Sequence, residues 1–244
     1  MTPQQQRAWH ALGLGPRWVA QGPVAPRSID RAIAAPERVL APPAPVSSSA
    51  PDDPDKAWQR INFEVHACQA CGLASTRQKV VVGQGSTHAR CLLIGEAPGA
   101  EEDRQGQPFV GRAGALLDQM LSAAGIDRER DVYVTNTLKC RPPGNRNPQP
   151  DELAQCSPFL ARQIALLEPR VIVLLGRFAA QAVLSTDASI ASLRGRIHRL
   201  PQATTATSCI VTYHPAYLLR NPADKALAWR DWVSVRRALG ESRA

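Results

Sequence analysis

A three-layer α/β/α sandwich with a mainly parallel central sheet is what this sequence of 244 residues predicts, and three observations predict it. Short apolar runs alternate with amphipathic stretches from residue 56 onward, the rhythm of strands and helices packed in layers. The run Val171-Ile-Val-Leu-Leu175 has no polar position, as expected of a strand covered on both faces. Glycine, asparagine or histidine follows each strand-like run, and open α/β sheets form their binding crevice at the carboxyl ends of strands.

Taken in chain order, residues 1–55 predict a low-complexity, disordered N-terminal tail. Residues 22–54 contain eight prolines among Ala, Ser and Val, a composition that stays extended and buries too little surface to fold. Ahead of it, Gln4 to Leu12 has the spacing of a short helix, with Trp9, Leu12 and Trp18 as apolar anchors; a frayed tail is the simpler reading. The folded domain is predicted over residues 56–244. Strands are predicted at Cys91–Ile94, Val132–Thr135, Val171–Leu175 and Ile210–Tyr213, where β-branched and aliphatic residues concentrate. Helices are predicted at Ala113–Ala124, Pro150–Leu167, Phe178–Leu184 and Asp224–Leu239. The last places Ala228, Trp232, Val235 and Leu239 on one face and stops at Gly240.

Charge narrows the partners. Residues 1–55 carry Arg7, Arg17, Arg27, Arg31 and Arg38 against Asp30, Glu37, Asp52, Asp53 and Asp55, so the formal charge of +8 belongs wholly to residues 56–244. A basic folded domain with a neutral tail points to a polyanion, nucleic acid first. No stretch approaches the roughly 20 apolar residues of a membrane span, and the first residues lack the apolar centre of a signal peptide. A cytoplasmic, reducing location is expected.

The cysteines divide into two groups. Cys91 and Cys209 lie inside apolar runs, where a thiol acts as a small hydrophobe. Cys68 and Cys71 form a C-x-x-C, Cys140 sits in the Pro/Gly-broken segment Lys-Cys-Arg-Pro-Pro-Gly-Asn-Arg-Asn-Pro, and Cys156 follows. This quartet has the character of metal ligands, and its spacing leaves zinc and an iron–sulfur cluster equally open.

Three further segments carry chemistry. Gly95-Glu-Ala-Pro-Gly99 follows a strand but matches neither the dinucleotide fingerprint nor a P-loop; its glycines and proline fix a sharp turn. Phe109 stands alone in the Gly-rich Gly106-Gln-Pro-Phe-Val-Gly-Arg-Ala-Gly114, placed to stack on a flat ligand. His214 precedes Pro215 and so sits at a predicted helix start. Leu218, Leu219 and Arg220 then offer an apolar pair with a cation, suited to wedging into a base stack.

Together these segments closely resemble the family 4 uracil-DNA glycosylases, the iron–sulfur branch of that superfamily. The resemblance rests on Cys-Gln-Ala-Cys, Gly-Glu-Ala-Pro-Gly-Ala-Glu-Glu-Asp, Gly-Gln-Pro-Phe-Val-Gly-Arg-Ala-Gly, Thr-Asn-Thr-Leu-Lys-Cys-Arg-Pro-Pro-Gly-Asn-Arg-Asn-Pro and His-Pro-Ala-Tyr-Leu-Leu-Arg, in that order over about residues 60–239. It implies a 4Fe-4S cluster on Cys68, Cys71, Cys140 and Cys156. It also implies release of uracil from single- or double-stranded DNA by base flipping, a step of base excision repair, by a monomeric enzyme. By the same resemblance Phe109 stacks on the base, Asn136 reads its O4 and N3, and His214 donates to O2. Gly95, Glu96 and Ala97 line the pocket, and Glu102 crowds the place of a thymine methyl. Arg141 and Arg146 face DNA phosphates. Ala97 stands where the best-known uracil glycosylases carry an aspartate, which implies that the uracil anion leaves first and a loosely held water follows; Glu96 and Asp103 are the candidate water-holders. The tail is a candidate site for a repair or replication partner.

Two other classes fit parts of the sequence. A non-enzymatic iron–sulfur nucleic-acid-binding protein would need neither Asn136 nor His214, and a hydrolase of free nucleotides would need neither the wedge nor the charge.

Overall fold

A computed structural model describes residues 53–200 and 207–240. Residues 1–52 of the predicted tail, with the short helix among them, lie outside the described residues. The first described helix, α1 (Pro54–Ala67), begins inside the segment assigned to the tail. Its start is built by a local signal: the Asp53 side chain accepts from the Asp55 N–H, and Pro54 takes the first helical position, where its missing N–H costs nothing.

Among the described residues six strands form one sheet: β1 (Gln84–Gly85), β2 (Cys91–Gly95), β3 (Val132–Asn136), β4 (Val171–Leu175), β5 (Ile197–Arg199) and β6 (Ser208–Thr212), in the order β1-β3-β2-β4-β6-β5. The central four are mutually parallel, and the two edge strands run antiparallel to their neighbours. The α-helices that follow among the described residues are α2 (Ala100–Gln105), α3 (Arg112–Ala124), α4 (Pro150–Leu167), α5 (Arg177–Leu184), α6 (Ile190–Leu193), α7 (Pro215–Arg220) and α8 (Lys225–Leu239).

Side-chain alternation along the strands shows why the sheet needs cover on both faces. Leu93, Val134, Val173, Leu175 and Ile210 point into one core, with Leu117, Met120 and Leu121 of α3 and Trp232, Val235 and Leu239 of α8. Leu92, Ile94, Tyr133, Ile172, Leu174 and Val211 point the other way, onto Leu160 and Leu167 of α4 and Ala179 and Ala180 of α5. The predicted three-layer architecture is the one the chain adopts.

A third, smaller core lies beside the sheet. Ile61 and Val65 of α1 pack with Leu73, Val80, Val82, Leu138 and Cys140, and with Cys71 and Cys156 at its margin. The α1–α4 contact is further tied by an Arg162–Glu64 ion pair. Cys91 and Cys209 are fully buried in strands, as their surroundings predict.

Candidate active site

Parallel pairing brings the candidate residues to one edge of the sheet. Gly95 and Asn136 end β2 and β3 in direct register, and Gly176 and His214 follow β4 and β6. A Cβ on Gly95 would lie 2.3 Å from Asn136 Oδ1 and 2.8 Å from the Phe109 ring. Any side chain there would therefore displace both groups. Gly176 touches His214 in the same way, at 3.0 Å between its hypothetical Cβ and the histidine Cβ. The Phe109 and His214 rings lie 5.6 Å apart at an interplanar angle of 30°. Gly95, Phe109, Asn136 and His214, distant in sequence, thus meet at one place beyond the strand ends.

Phe109 is held there under strain. Its φ of 55° is unusual for a residue with a side chain. Two features secure it. The Glu102 carboxylate accepts from the N–H groups of Val110 and Gly111, both at 3.1 Å. Gly114, in the first turn of α3, lets the helix pack onto the Phe109 carbonyl; a Cβ there would fall 1.8 Å from that oxygen.

Asn136 is 2% exposed, and among the described residues its buried Oδ1 has no hydrogen-bond partner. Buried acceptors are rarely left so, because the lost hydration is not replaced. The strand end beneath it is pinned: Thr137 donates its N–H to the Gly95 carbonyl at 3.0 Å, and Leu138 donates to the Glu96 carbonyl at 3.1 Å.

His214 caps α7, and its Nδ1 accepts from the Ala216 N–H at 3.1 Å. The proton of the neutral ring is therefore on Nε2, which is left as a donor. Burial, and then the nearby Arg220 charge, lower the His214 pKa to about 4, so the ring is neutral at ordinary pH. Glu96 moves the other way: burial raises its pKa to about 7, partly offset by the positive charge of Arg177.

Several expected placements change. Leu218 is 0% exposed and belongs to the core with Met120 and Trp232, so it is no wedge; Leu219, at 36%, and Arg220 face outward. Arg146 is engaged in an ion pair with the buried Glu152 carboxylate, which also caps α4 through the Gln149 N–H, while the arginine side chain itself stays 38% exposed. Arg141 donates from Nε to Asn145 Oδ1 at 2.8 Å within the same loop. Glu102, expected against a thymine methyl, has its carboxylate tied to the Phe109 loop. Asp103 is buried and accepts from the Gln78 and Lys79 N–H groups, which removes it as a water-holder and leaves Glu96. Ala97 packs at the margin of the third core.

Arg177 was not anticipated. It opens α5 beside Gly176, rests 4.5 Å over the Phe178 ring, and its charge reaches Glu96. The signal was available, since a cation at a helix N-terminus opposes the helix dipole and asks for an anion nearby.

The cysteine quartet gathers at the third core. Cys68 ends α1, Cys71 opens the turn Gly72–Ser75, Cys140 lies four residues beyond β3, and Cys156 is on α4. Arg77 bridges two of them, donating to Cys140 Sγ at 3.2 Å and to the Cys68 carbonyl at 2.9 Å. Cys140 is within electrostatic reach of Cys68 and Cys71, and Cys156 of Cys68 and Cys140. Among the described residues, no three His, Cys, Asp or Glu side chains converge closely enough to hold a single metal ion.

Comparison with known proteins places the chain in a family. The family described as the uracil DNA glycosylase superfamily matches residues 82–233, and the chain belongs to it. The type-4 uracil-DNA glycosylase of Thermotoga maritima is 46% identical over 173 residues, 70% of this chain and 88% of the relative. That of Archaeoglobus fulgidus is 43% identical over 163 residues, covering 65% and 81%, and that of Sulfurisphaera tokodaii is 39% identical over 183 residues, covering 73% and 83%. Within the superfamily, the chain is a member of the type-4 family.

Proposed function

We propose that this site takes uracil flipped out of DNA and hydrolyses its N-glycosidic bond, leaving an abasic site for base excision repair. The observation that carries this reading is the unpartnered Asn136 Oδ1, buried at a strand end between Phe109 and Gly95. Uracil presents an N3–H donor beside the O4 acceptor, the pair an amide satisfies; cytosine presents the reverse and would leave Oδ1 facing a lone pair. Phe109 supplies a flat apolar face. As the C1′–N1 bond breaks, both electrons leave with the base. The His214 Nε2–H donates to O2, where that charge gathers, and does so as a neutral group. A water oxygen then bonds to C1′ and its proton passes to Glu96 or to solvent. The test is release of free uracil from single- and double-stranded DNA containing it, with matched cytosine DNA and free deoxyuridine as controls. Cleavage of deoxyuridine alone, or none at all, would refute the reading.

The four thiols fit a 4Fe-4S cluster. They lie within electrostatic reach of one another at the margin of the third core, and Cys₄ sets ligate such clusters. Cys68, Cys71, Cys140 and Cys156 would hold it, and it would supply a cross-link between α1, the loop after β3 and α4, not a step of hydrolysis. All six cysteines are unpaired, which suits a cytoplasmic setting; among the described residues no helix is long and apolar enough to cross a membrane. The basic charge of residues 56–244, with Leu219 and Arg220 exposed, supports DNA as the partner of a monomer.

Two expected outcomes arise here. If Glu96 accepts the proton from water, the rate rises with pH and levels off above about 7, and Glu96→Gln removes that inflection. The rate loss should be about tenfold, less than the roughly 100-fold of a tightly positioned base. The same raised pKa makes folded Glu96 hold its proton more tightly than unfolded Glu96. Stability should therefore fall as pH rises from the ordinary carboxylate range to about 7, and Glu96→Gln should remove that slope as well. The second outcome concerns residues 1–55: with no net charge and none of the site residues, their deletion should leave uracil release and its salt dependence unchanged. A cut at residue 52 is the better boundary, because Asp53 caps α1.

A further inference from the structure

Lys139 separates the active-site strand from the cysteine centre, and its environment is unusual for a cation. It is 1% exposed. Its Nζ donates to Thr135 Oγ1 at 2.6 Å, to the Asn136 carbonyl at 2.8 Å and to Gln163 Oε1 at 2.7 Å, which uses all three ammonium donors. The cage around it is itself braced: Thr135 Oγ1 and Gln163 Nε2 both donate to the Val82 carbonyl, at 2.8 and 3.0 Å. Every one of these acceptors is neutral. A buried ammonium group without a counter-charge is strongly disfavoured, however well it is hydrogen-bonded.

The negative charge within its reach comes from sulfur. Cys140 and Cys156 are the groups whose charge Lys139 feels, and the Lys139 backbone N–H bonds to the Cys156 sulfur. Four thiolates carry more negative charge than the core of a resting cubane neutralises, so a loaded centre is a buried anion next to a buried cation.

We propose that Lys139 is a positioning residue that couples the two centres, its ammonium group serving as counter-charge to the cluster while it fixes the main chain of Asn136. This rests on the cluster assignment above. The coupling follows from the bonds: the group that neutralises the cysteine centre also holds the carbonyl of the residue that reads the base. The cluster then stabilises the geometry of base recognition electrostatically, without taking part in hydrolysis.

Lys139→Met keeps the length and volume of the side chain and removes the charge and its donors. In full-length protein purified anaerobically, it should still bind iron. The reduction potential of its cluster should fall, because a positive charge beside it is gone. Single-turnover uracil release should slow about tenfold with DNA affinity unchanged, the size typical of residues that orient a centre's ligands. Gln163→Glu supplies an independent variant should Lys139→Met not fold. A carboxylate at that position pairs with the ammonium and leaves its bond to the Asn136 carbonyl, at the cost of the Nε2–H donated to Val82, so the potential should fall while the release rate drops less than in Lys139→Met. Iron-loaded Lys139→Met with parental potential and rate, or iron-loaded Gln163→Glu with parental potential, would overturn the coupling. Parental protein with stoichiometric zinc and no iron would overturn the cluster assignment itself, and the coupling with it; the variants' release rates would then report on Asn136 alone.

Discussion

Replacing His214 by alanine is expected to slow single-turnover release of uracil about 100-fold while binding of uracil-containing DNA stays nearly the same. The asymmetry comes from when the contact matters. In the bound substrate, O2 is an ordinary carbonyl; as the bond to the sugar breaks it collects negative charge, and a donor aimed at it strengthens. A fixed donor of this kind is worth on the order of 3 kcal/mol, and about 1.4 kcal/mol corresponds to each factor of ten. The geometry is set before substrate arrives, since the Ala216 N–H holds Nδ1 and leaves the proton on Nε2.

The same ring makes a second statement about pH. With its pKa lowered to about 4 by burial, His214 is neutral through the whole working range. The rate should show no inflection near the ordinary histidine value, and the rise through about 7 belongs to Glu96. For stability the sign is fixed by the same shift: as pH falls below the ordinary range, unfolded His214 takes up a proton that the folded ring refuses until about 4. The fold therefore loses stability in that window, and His214→Ala should flatten that slope. A rate close to the parent's in His214→Ala would reduce the histidine to a helix cap. Asn136→Ala should also slow release, but with weaker rejection of cytosine, because in the proposed reading its amide addresses the base and not the leaving charge.

How much of this was legible in the sequence depended on where each element draws its stability. Val171–Leu175 and Pro150–Leu167 are visible because their own side chains fill the two cores, and the structure gives them the predicted bounds. Strand β5, only Ile197–Arg199, carries no such pattern; it exists because β6 offers a backbone edge to pair with. Helix α1 was hidden for a different reason: its start signals, Asp53 and Pro54, close a proline-rich run and read as part of it.

Within the site, the groups at strand ends were readable because parallel register carries each of them to the same edge. Gly95 and Asn136 meet for that reason. What could not be read was the direction of side chains in short or irregular segments. Helix α7 has six residues, too few for periodicity to say that Leu218 faces the core while Leu219 faces out. Arg146 meets Glu152 only because the turn Pro143–Asn145 folds the loop back onto the start of α4. Lys139 was passed over beside Cys140, since nothing in a linear motif reveals that its ammonium group is enclosed by Thr135, Gln163 and the Asn136 carbonyl.

Cys140→Ser is expected to have the largest effect on the protein as a whole. Cys140 joins three parts of the third core: it follows β3, receives the Arg77 guanidinium at 3.2 Å, and packs with Ile61 and Val65 of α1. Through Arg77 it is also tied to the Cys68 carbonyl at the end of α1. Without a cluster, that corner has a small apolar core and thiols whose ionisation burial opposes, Cys156 being pushed up to about 11. With the quartet holding the proposed 4Fe-4S cluster, removing one ligand should lower iron from about four atoms per chain to nearly none. Loss of a structural centre costs on the order of 4 kcal/mol, a fall in melting temperature of about 10 °C for a domain of this size. DNA binding should weaken with it, because Arg141 and its loop begin at Cys140. Cys91→Ser and Cys209→Ser provide the contrast. Both thiols are buried in strands of the main sheet, away from the third core, so these variants should lose some stability but keep their iron. Iron retained in Cys140→Ser, or lost equally in Cys91→Ser, would mean that the centre is not built from the quartet the structure gathers.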